Sequence, residues 1–388
     1  MRILVGYHHY RHPTDVRASY ERWLARLREA GIHAYGVSLA PEPAGRRLDW
    51  PIIEEHWRRG DRALLRMYEE VARQAEDFDV FLNYNGTSLH PDFVAQLPTF
   101  NVYACWDDPE SSALLSRPVA FAYDLCMVGN VAEVARYREW GARAARFWPM
   151  GFHADDYDPS LTRDQILGGE RDVDIALLAE RKSKFRRQRL DAFVAAFPAA
   201  HCFGLGWPRG FLAEAERVPL FQRTKVGPNF HNSTGPINLR TYSLPANGVL
   251  QVCDNRAHLG EIFRVGEEVV GFDRVDEAID LCRYYLAHDD ERRRIALAGW
   301  QRALRDYNEV AVFGRLIDAV REIGAQTKAP TQGASLLLAN QRRRTFWQRL
   351  RYRATSPFRL VAGRARPFAR SAQRRLSSGW PRLERRKK

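Results

Sequence analysis

The sequence predicts two doubly wound α/β domains that face each other across a cleft, followed by a basic tail. Three observations lead there. Short apolar runs alternate with amphipathic stretches over residues 1–155, the alternation resumes at residue 172 after an Asp-, Pro- and Gly-rich linker (156–171), and the positive charge gathers after residue 340. Apolar strands separated by helices read as mainly parallel sheets covered on both faces. With 388 residues, 45% hydrophobic and 28% charged, the chain can fill two cores of ordinary globular composition. No apolar run approaches the roughly 20 residues of a spanning helix. The opening MRILVGYHHY lacks a signal-peptide pattern, so a cytoplasmic location is expected. The cysteines (Cys105, Cys126, Cys202, Cys253 and Cys282) are scattered, without CxxC or Cys–His zinc spacing. They read as reduced core residues, and neither a metal nor a cofactor is expected.

In the first domain (1–155), Ile3–Tyr7 is a buried strand. Tyr20–Ala30 is an amphipathic helix with Trp23, Leu24 and Leu27 on its apolar side, closed by Gly31. His33–Val37 is a second strand, and 54–76 a longer helix. Val80–Tyr84 breaks at Asn85-Gly86, and Phe100–Cys105 runs into Trp106-Asp107-Asp108-Pro109. Leu125–Val128 is followed by a helix over 131–140, and 146–150 closes the domain. The second domain (172–326) opens with the strand Val173–Leu178. A basic run over 181–189 passes into a helix near 190–197, and His201–Phe203 leads to a glycine-rich turn. Glu268 to Phe272 is a strand. Helices follow over about 275–288, 290–306 and 312–323.

The chemistry centres on Lys225–Glu261. A strand over 226–230 enters the polar turn His231-Asn232-Ser233-Thr234-Gly235-Pro236, and a helix is expected from about Ile237 to Ala246. Ser233 or Thr234 would cap it, Pro236 suits a first helical turn, and Asn247-Gly248 would end it. Free N–H groups at such a start form an anion site, and Arg240 one turn in can add a fork to a phosphate. An ordinary capped helix with Arg240 in a surface ion pair is the competing reading. A strand over 249–253 then ends on Asp254, whose carboxylate is placed to bind ribose hydroxyls.

The run "GPINLRTYSLPANGVLQVCD…LGEIF…GEEVVGF…EAIDLCRYYLAHDDERRRIALAGWQRAL" resembles the C-terminal half of CgeB-type (spore-maturation-like) glycosyltransferases. These are relatives of the group-1 (family 4) enzymes, with the GT-B fold. The matching features are Asn238 and Arg240, the turn Pro245 to Gly248, the strand ending in Asp254, Glu261 and the paired helices, over about a hundred residues. The resemblance implies two Rossmann-like domains and sugar transfer from a nucleotide-diphospho-sugar donor to a glycan or other hydroxyl acceptor. It implies a donor site on the second domain at Arg181, Lys225, His231, Asn232, Gly235, Asn238, Arg240, Thr241, Asp254 and Glu261. It also implies a final helix that crosses back onto the first domain. In the first domain His8 and His9 follow the first strand, where an acceptor or a catalytic base would stand, and Asp107 lies in a W-x-D-D-P-like turn. A hydrogen-bonded structural histidine is the plainer reading of that pair. Many group-1 enzymes carry E-x7-E across the turn and helix. Registered on Pro245 to Gly248, both acids are missing here, with Gly235 and Ser243 in their places. A catalytically silent binding or scaffold protein is therefore the alternative.

Residues 341–388 contain 17 Lys plus Arg and one acid, whereas residues 1–340 hold 43 bases and 46 acids. The body is near neutral, and the basicity belongs to the tail (327–388). Interleaved Phe346, Trp347, Tyr352 and Trp380 suit an anionic membrane surface, which would make the protein peripheral at the inner face. A solvated tail and nonspecific nucleic-acid binding compete with that reading. A near-neutral body argues against specific nucleic-acid recognition.

Overall fold

The computed structural model describes residues 1–8, 16–41, 47–181, 184–254, 256–324 and 333–355. Among them, eleven strands form two parallel sheets: β1 (Ile3–Tyr7), β2 (Ala34–Ser38), β3 (Val80–Asn83), β4 (Phe100–Cys105), β5 (Leu125–Val128) and β6 (Ala145–Phe147) in the first, and β7 (Val173–Leu178), β8 (His201–Phe203), β9 (Thr224–Asn229), β10 (Leu250–Cys253) and β11 (Val270–Gly271) in the second. The strand orders are β2-β1-β3-β4-β5-β6 and β11-β10-β9-β7-β8. Both sheets therefore start at an inner strand, step outward once, and reverse. The reversal falls between β1 and β3 in one and between β7 and β9 in the other, where open α/β sheets bind ligands.

The predicted long helix over 54–76 is two helices, Trp50–Arg59 and Arg62–Ala75. Gly60 adopts a left-handed φ of 57°, and the Asp61 carboxylate accepts from Ala63 N and Leu64 N at 2.9 and 3.0 Å, so one helix closes where the next is capped. From Lys184 onward the basic run is itself helical, within Lys184–Ala196, and a helix that the sequence reading left out spans Glu214–Arg223. The helix after β9 begins at Arg240, not at Ile237. It ends as expected, with Gly248 at a φ of +64° and its N–H on the Pro245 carbonyl at 2.8 Å.

The helix Glu309–Ile323 leaves the second domain and completes the first. Its Val312, Phe313, Leu316 and Val320 share a core with Trp23, Leu24, Trp106 and Trp148. Trp148 Nε1 donates to the Val312 carbonyl at 2.7 Å. Part of the expected tail is also built into the fold. Gly333–Thr355 is a helix that buries Ala334 and Leu338 in the first domain's core. Gln341 donates to the Trp57 carbonyl, and Arg342 pairs with Glu69. The remainder of the tail prediction, 327–332 and 356–388, lies outside the described residues. Among the described residues no helix is long and apolar enough to cross a membrane. All five cysteines are buried and unbridged.

Candidate functional site

Asn229 ends β9 and is fully buried, a position where an amide must satisfy every polar atom or destabilise the fold. Its Nδ2 reaches Asn238 Oδ1, Thr241 Oγ1 and Gln251 Oε1 at 3.2, 3.3 and 3.2 Å. Its Oδ1 accepts from Asn238 Nδ2 at 2.9 Å and from Arg240 Nε at 3.2 Å. Asn238, just before the short helix Arg240–Ala246, also accepts through Oδ1 from Thr241 N at 3.1 Å. Asn229 thus aims Arg240 through Nε alone. The two terminal nitrogens of Arg240 have no partner among the described residues, and the side chain lines a cavity. Burial and then the Arg186 charge push the Arg240 guanidinium down to about 10. Two partly desolvated cations side by side are a place where an anion would be welcome.

Behind them His231, Thr241 and Asp254 form a closed chain. Asp254 accepts from His231 N at 3.1 and 2.9 Å, lies 2.6 Å from His231 Nδ1, and pairs with Arg189 at 3.0 Å. Burial lowers the His231 pKa against the pull of Asp254, so the ring is neutral near pH 7. A carboxylate only accepts, so Nδ1 carries the proton, and Nε2 accepts from the Thr241 hydroxyl at 3.1 Å. Cys253 Sγ stands 4.0 Å from Nδ1. The three ligand-type atoms fall within 4.8 Å of one another. However, 2.6 Å between nitrogen and oxygen is a hydrogen bond, and tetrahedral zinc ligands lie further apart. This cluster positions the turn.

The expected anion site at Ser233, Thr234 and Gly235 is not a helix start. Pro236 and Ile237 have no regular structure, and Ser233 and Thr234 reach the other domain instead. Asn130, after β5, donates through Nδ2 to the Asp108 carbonyl, Ser233 Oγ and Thr234 Oγ1, each at 3.1 Å. The Thr234 hydroxyl donates to the buried Glu133 at 2.9 Å. Gly235 packs so tightly here that a Cβ would sit 2.2 Å from Asn130 Oδ1. Asp108 is buried and accepts from the Tyr137 hydroxyl at 2.5 Å, and burial raises its pKa. Asp107 instead pairs with Arg47 at 2.7 Å.

Two cavities adjoin in the cleft. One, of about 280 Å³, lies at the carboxyl ends of β7 and β8 and is lined by Glu180, Phe203, Phe211, Arg217 and Arg240 among others. The second, of about 210 Å³, is lined by Tyr20, Trp23, Tyr84, His153, Asp155 and Asp156 among others. Glu214 lines both, and Arg217 of the first pairs with Asp156 of the second. A larger cavity, of about 560 Å³, lies beside β2. Its wall charges are partly spent on each other: Arg17 pairs with Glu21 at 3.2 Å, and Arg28 binds the Ala34 carbonyl at 2.8 Å. Size alone gives it no chemistry.

The structure gathers Gly235, Asn238, Arg240, Thr241, His231 and Asp254 around the end of β9. Asn232 is exposed on the same turn. Arg181 lies near this end of the sheet, spent on Asp191 and stacked 4.7 Å over the Trp207 ring. Lys225 does not join them. It sits at the amino end of β9, about 13 Å of strand from Asn229, and pairs with Asp174 at 2.7 Å. Glu261 is exposed and pairs with His258 at 3.1 Å. His8 is buried, 3.3 Å from Ser88 Oγ, and His9 lies outside the described residues. Sequence reasoning missed Asn229, Glu214, Arg217 and the aromatic wall of the smaller cavity. Only Asn229 left a signal, a lone amide closing an apolar strand.

Residues 182–318, about a third of the chain, match the family described as glycosyl transferase-like. Among solved structures, HepE of Anabaena in complex with UDP and glucose aligns at 16% identity and TM-score 0.55, over 83% of this chain and all of that one. Sucrose-phosphate synthase of Thermosynechococcus elongatus aligns at 14% and 0.55, over 83% and 98%. A glycosyltransferase of Rickettsia africae aligns at 11% and 0.52, over 83% and 98%. No curated protein sequence matches the chain. These likenesses give the fold: two Rossmann-like domains in the GT-B arrangement.

Proposed function

We propose that this chain is a glycosyltransferase. It moves a sugar from a nucleoside diphosphate donor, held by the second domain, to a hydroxyl acceptor in the cleft. The observation that carries the reading is Arg240. Asn229 fixes its Nε, its terminal nitrogens are unpartnered among the described residues, and it faces a cavity at the strand ends beside Arg186. It also falls within the stretch that matches a glycosyl transferase-like family. In the reaction a bond forms between the acceptor oxygen and the sugar's anomeric carbon, the bond to diphosphate breaks, and the acceptor's proton is released. Negative charge builds on the departing diphosphate, and preorganised cations stabilise it there. UDP is the first nucleotide to try, since similar folds were solved with it. Within the superfamily the CgeB-type subgroup remains our assignment, on Asn238, Arg240 and the Pro245 to Gly248 turn. We further infer that residues 341–388 bring the enzyme to an anionic membrane surface.

One observation favours a catalytically silent scaffold. Gly235 and Ser243 stand where the resembling enzymes carry acids. Gly235 is packed on Asn130, and Ser243 is buried with its hydroxyl unpartnered. Neither position has room to hold a sugar, so an active enzyme must hold it elsewhere. A thermal-shift panel of the full chain with UDP, GDP, ADP, CMP and dTDP separates the readings. A ligand at a hundred times its dissociation constant adds about 2.7 kcal/mol. One nucleotide should stabilise the wild type and not Arg240→Ala. If none does, the scaffold reading prevails.

A further inference from the structure

The smaller cavity has a chemical character of its own. Tyr20, Trp23 and Tyr84 form a continuous aromatic wall, with Trp23 and Tyr84 ring centroids 4.9 Å apart and Tyr20 at 6.2 and 6.0 Å from them. Trp23 is 5% exposed, and its indole Nε1 has no hydrogen-bond partner among the described residues. Asp155, Asp156 and Glu214 also line it, with Arg26 and His153. Among the described residues the cations here are engaged: Arg26, itself in the lining, binds Glu309 at 2.6 Å and Asp155 at 3.7 Å, and Arg217 pairs with Asp156. At about 30 Å³ of liquid volume per water, 210 Å³ equals roughly seven waters, the space of a single sugar ring.

We propose that this cavity is the acceptor subsite and that it takes a neutral polyhydroxylated or amino sugar, to the exclusion of a phosphorylated one. The inference rests on the donor reading above for the word acceptor, and on the cavity alone for the ligand class. A pyranose has apolar C–H faces that cover aromatic rings, and hydroxyl edges that donate to carboxylates. An anionic group would be brought beside Glu214 and the paired acids Asp155 and Asp156, with no uncommitted cation among the described residues to receive it, and like charges set close together are costly. The cavity thus selects by what it repels as well as by what it binds. Its position suits transfer. Glu214 is the wall common to both cavities, and the Arg217–Asp156 pair crosses from one to the other, so a sugar here lies next to whatever occupies the Arg240 side.

The test is binding to the full chain, by titration calorimetry and saturation-transfer NMR, with and without UDP. The panel is glucose, galactose, mannose, N-acetylglucosamine, glucosamine and glucose 6-phosphate. At least one neutral or amino sugar should bind, with glucose 6-phosphate at least tenfold weaker. Tyr20→Leu, which removes the ring and keeps the bulk, should weaken that sugar at least fivefold, as should Asp155→Asn. Both should leave the UDP thermal shift unchanged. Asp155→Asn combined with Glu214→Gln should narrow the discrimination against phosphate, a change that a merely structural role would not produce. The inference is overturned if glucose 6-phosphate binds as well as the neutral sugars, if no panel member binds, or if binding ignores both single variants. A sugar that binds while no nucleotide does would sink the donor reading and leave the cavity's ligand class standing. A nucleotide that binds while no sugar does would sink this inference alone.

Discussion

Arg240 brings more positive charge to the end of β9 than its neighbours compensate. Burial and Arg186 both work against its charged form, and its single hydrogen bond among the described residues runs to a neutral amide. Such an arrangement destabilises the empty protein in exchange for anion binding. Arg240→Gln keeps a donor for Asn229 and removes the charge. It should therefore raise the melting temperature of the nucleotide-free protein, by about 1 kcal/mol in stability or roughly 2–4 °C, while abolishing the nucleotide shift. A variant that melts lower and still responds to nucleotide would show that Arg240 is an ordinary structural arginine. Arg240 was legible in the sequence because its spacing from the Pro245 to Gly248 turn is a pattern. Trp23 was legible as an apolar helix position, but its part in a cavity wall was not, because that wall is assembled from the helix Val16–Glu29, the end of β3 and the linker. Glu214 lay in a segment where Pro219, inside the helix, hides the helical signal.

Among elements, the turn between β9 and the helix Arg240–Ala246 departs most from expectation. Local pattern made Ser233 and Thr234 caps. In the fold their hydroxyls meet Asn130 and Glu133, and a partner about a hundred residues away leaves no trace in local sequence. The strands were easier to read, since a buried strand is a continuous apolar run whatever it packs against. β1, β4, β5 and β7 match their predicted ends. The turn makes a sharp test of the domain contact. Asn130 cannot swing away freely, because its Oδ1 accepts from Ala132 N and its Nδ2 holds the Asp108 carbonyl, both at 3.1 Å. Gly235→Ala should thus cost about 1–3 kcal/mol in chemical denaturation, and adding Asn130→Gly should recover the steric part. An unchanged denaturation midpoint in Gly235→Ala would mean that the two domains do not close here. Glu309, the first residue of the returning helix, is a second contact. Burial alone would raise its pKa, but hydrogen bonds from His153 and Arg26 outweigh it and hold the carboxyl at about 2. A lowered carboxyl stabilises the fold above its unfolded value near 4.5 and loses that contribution as pH falls towards 2. Glu309→Gln should remove about 2 kcal/mol at pH 7, and its deficit against wild type should shrink steadily below pH 4.5. A deficit constant with pH would show that the charge is not what matters.

At the scale of the whole molecule, charge and architecture are separated. The two sheets repeat one strand order; the sequence showed the alternation of strand with helix in each domain and not the order of the strands, which depends on pairings between distant residues. The docked helix Gly333–Thr355 was not readable as part of the body, because its arginines resemble a solvated tail. It rests on the first domain through Ala334, Leu338 and Gln341 and leaves Phe346 and Trp347 each 59% exposed. Two exposed aromatics at the head of a segment with 17 bases and one acid should carry the protein to anionic lipid. Full-length protein should pellet with phosphatidylglycerol vesicles at low salt and not with phosphatidylcholine vesicles. Phe346→Ala with Trp347→Ala should weaken pelleting several-fold. Equal pelleting with both lipids would remove the electrostatic argument. The return of Glu309–Ile323 into the first domain also sets an order of events at the ribosome. Trp23, Trp106 and Trp148 emerge early, yet the Phe313 and Leu316 that cover them come some 170 residues after Trp148. At 5–20 residues per second, the first domain waits roughly 10–30 s with an open aromatic face. During that interval the nascent chain is a client for whatever shields hydrophobic surface in the cell, and the first half of the protein becomes a finished domain only when the second half is nearly made.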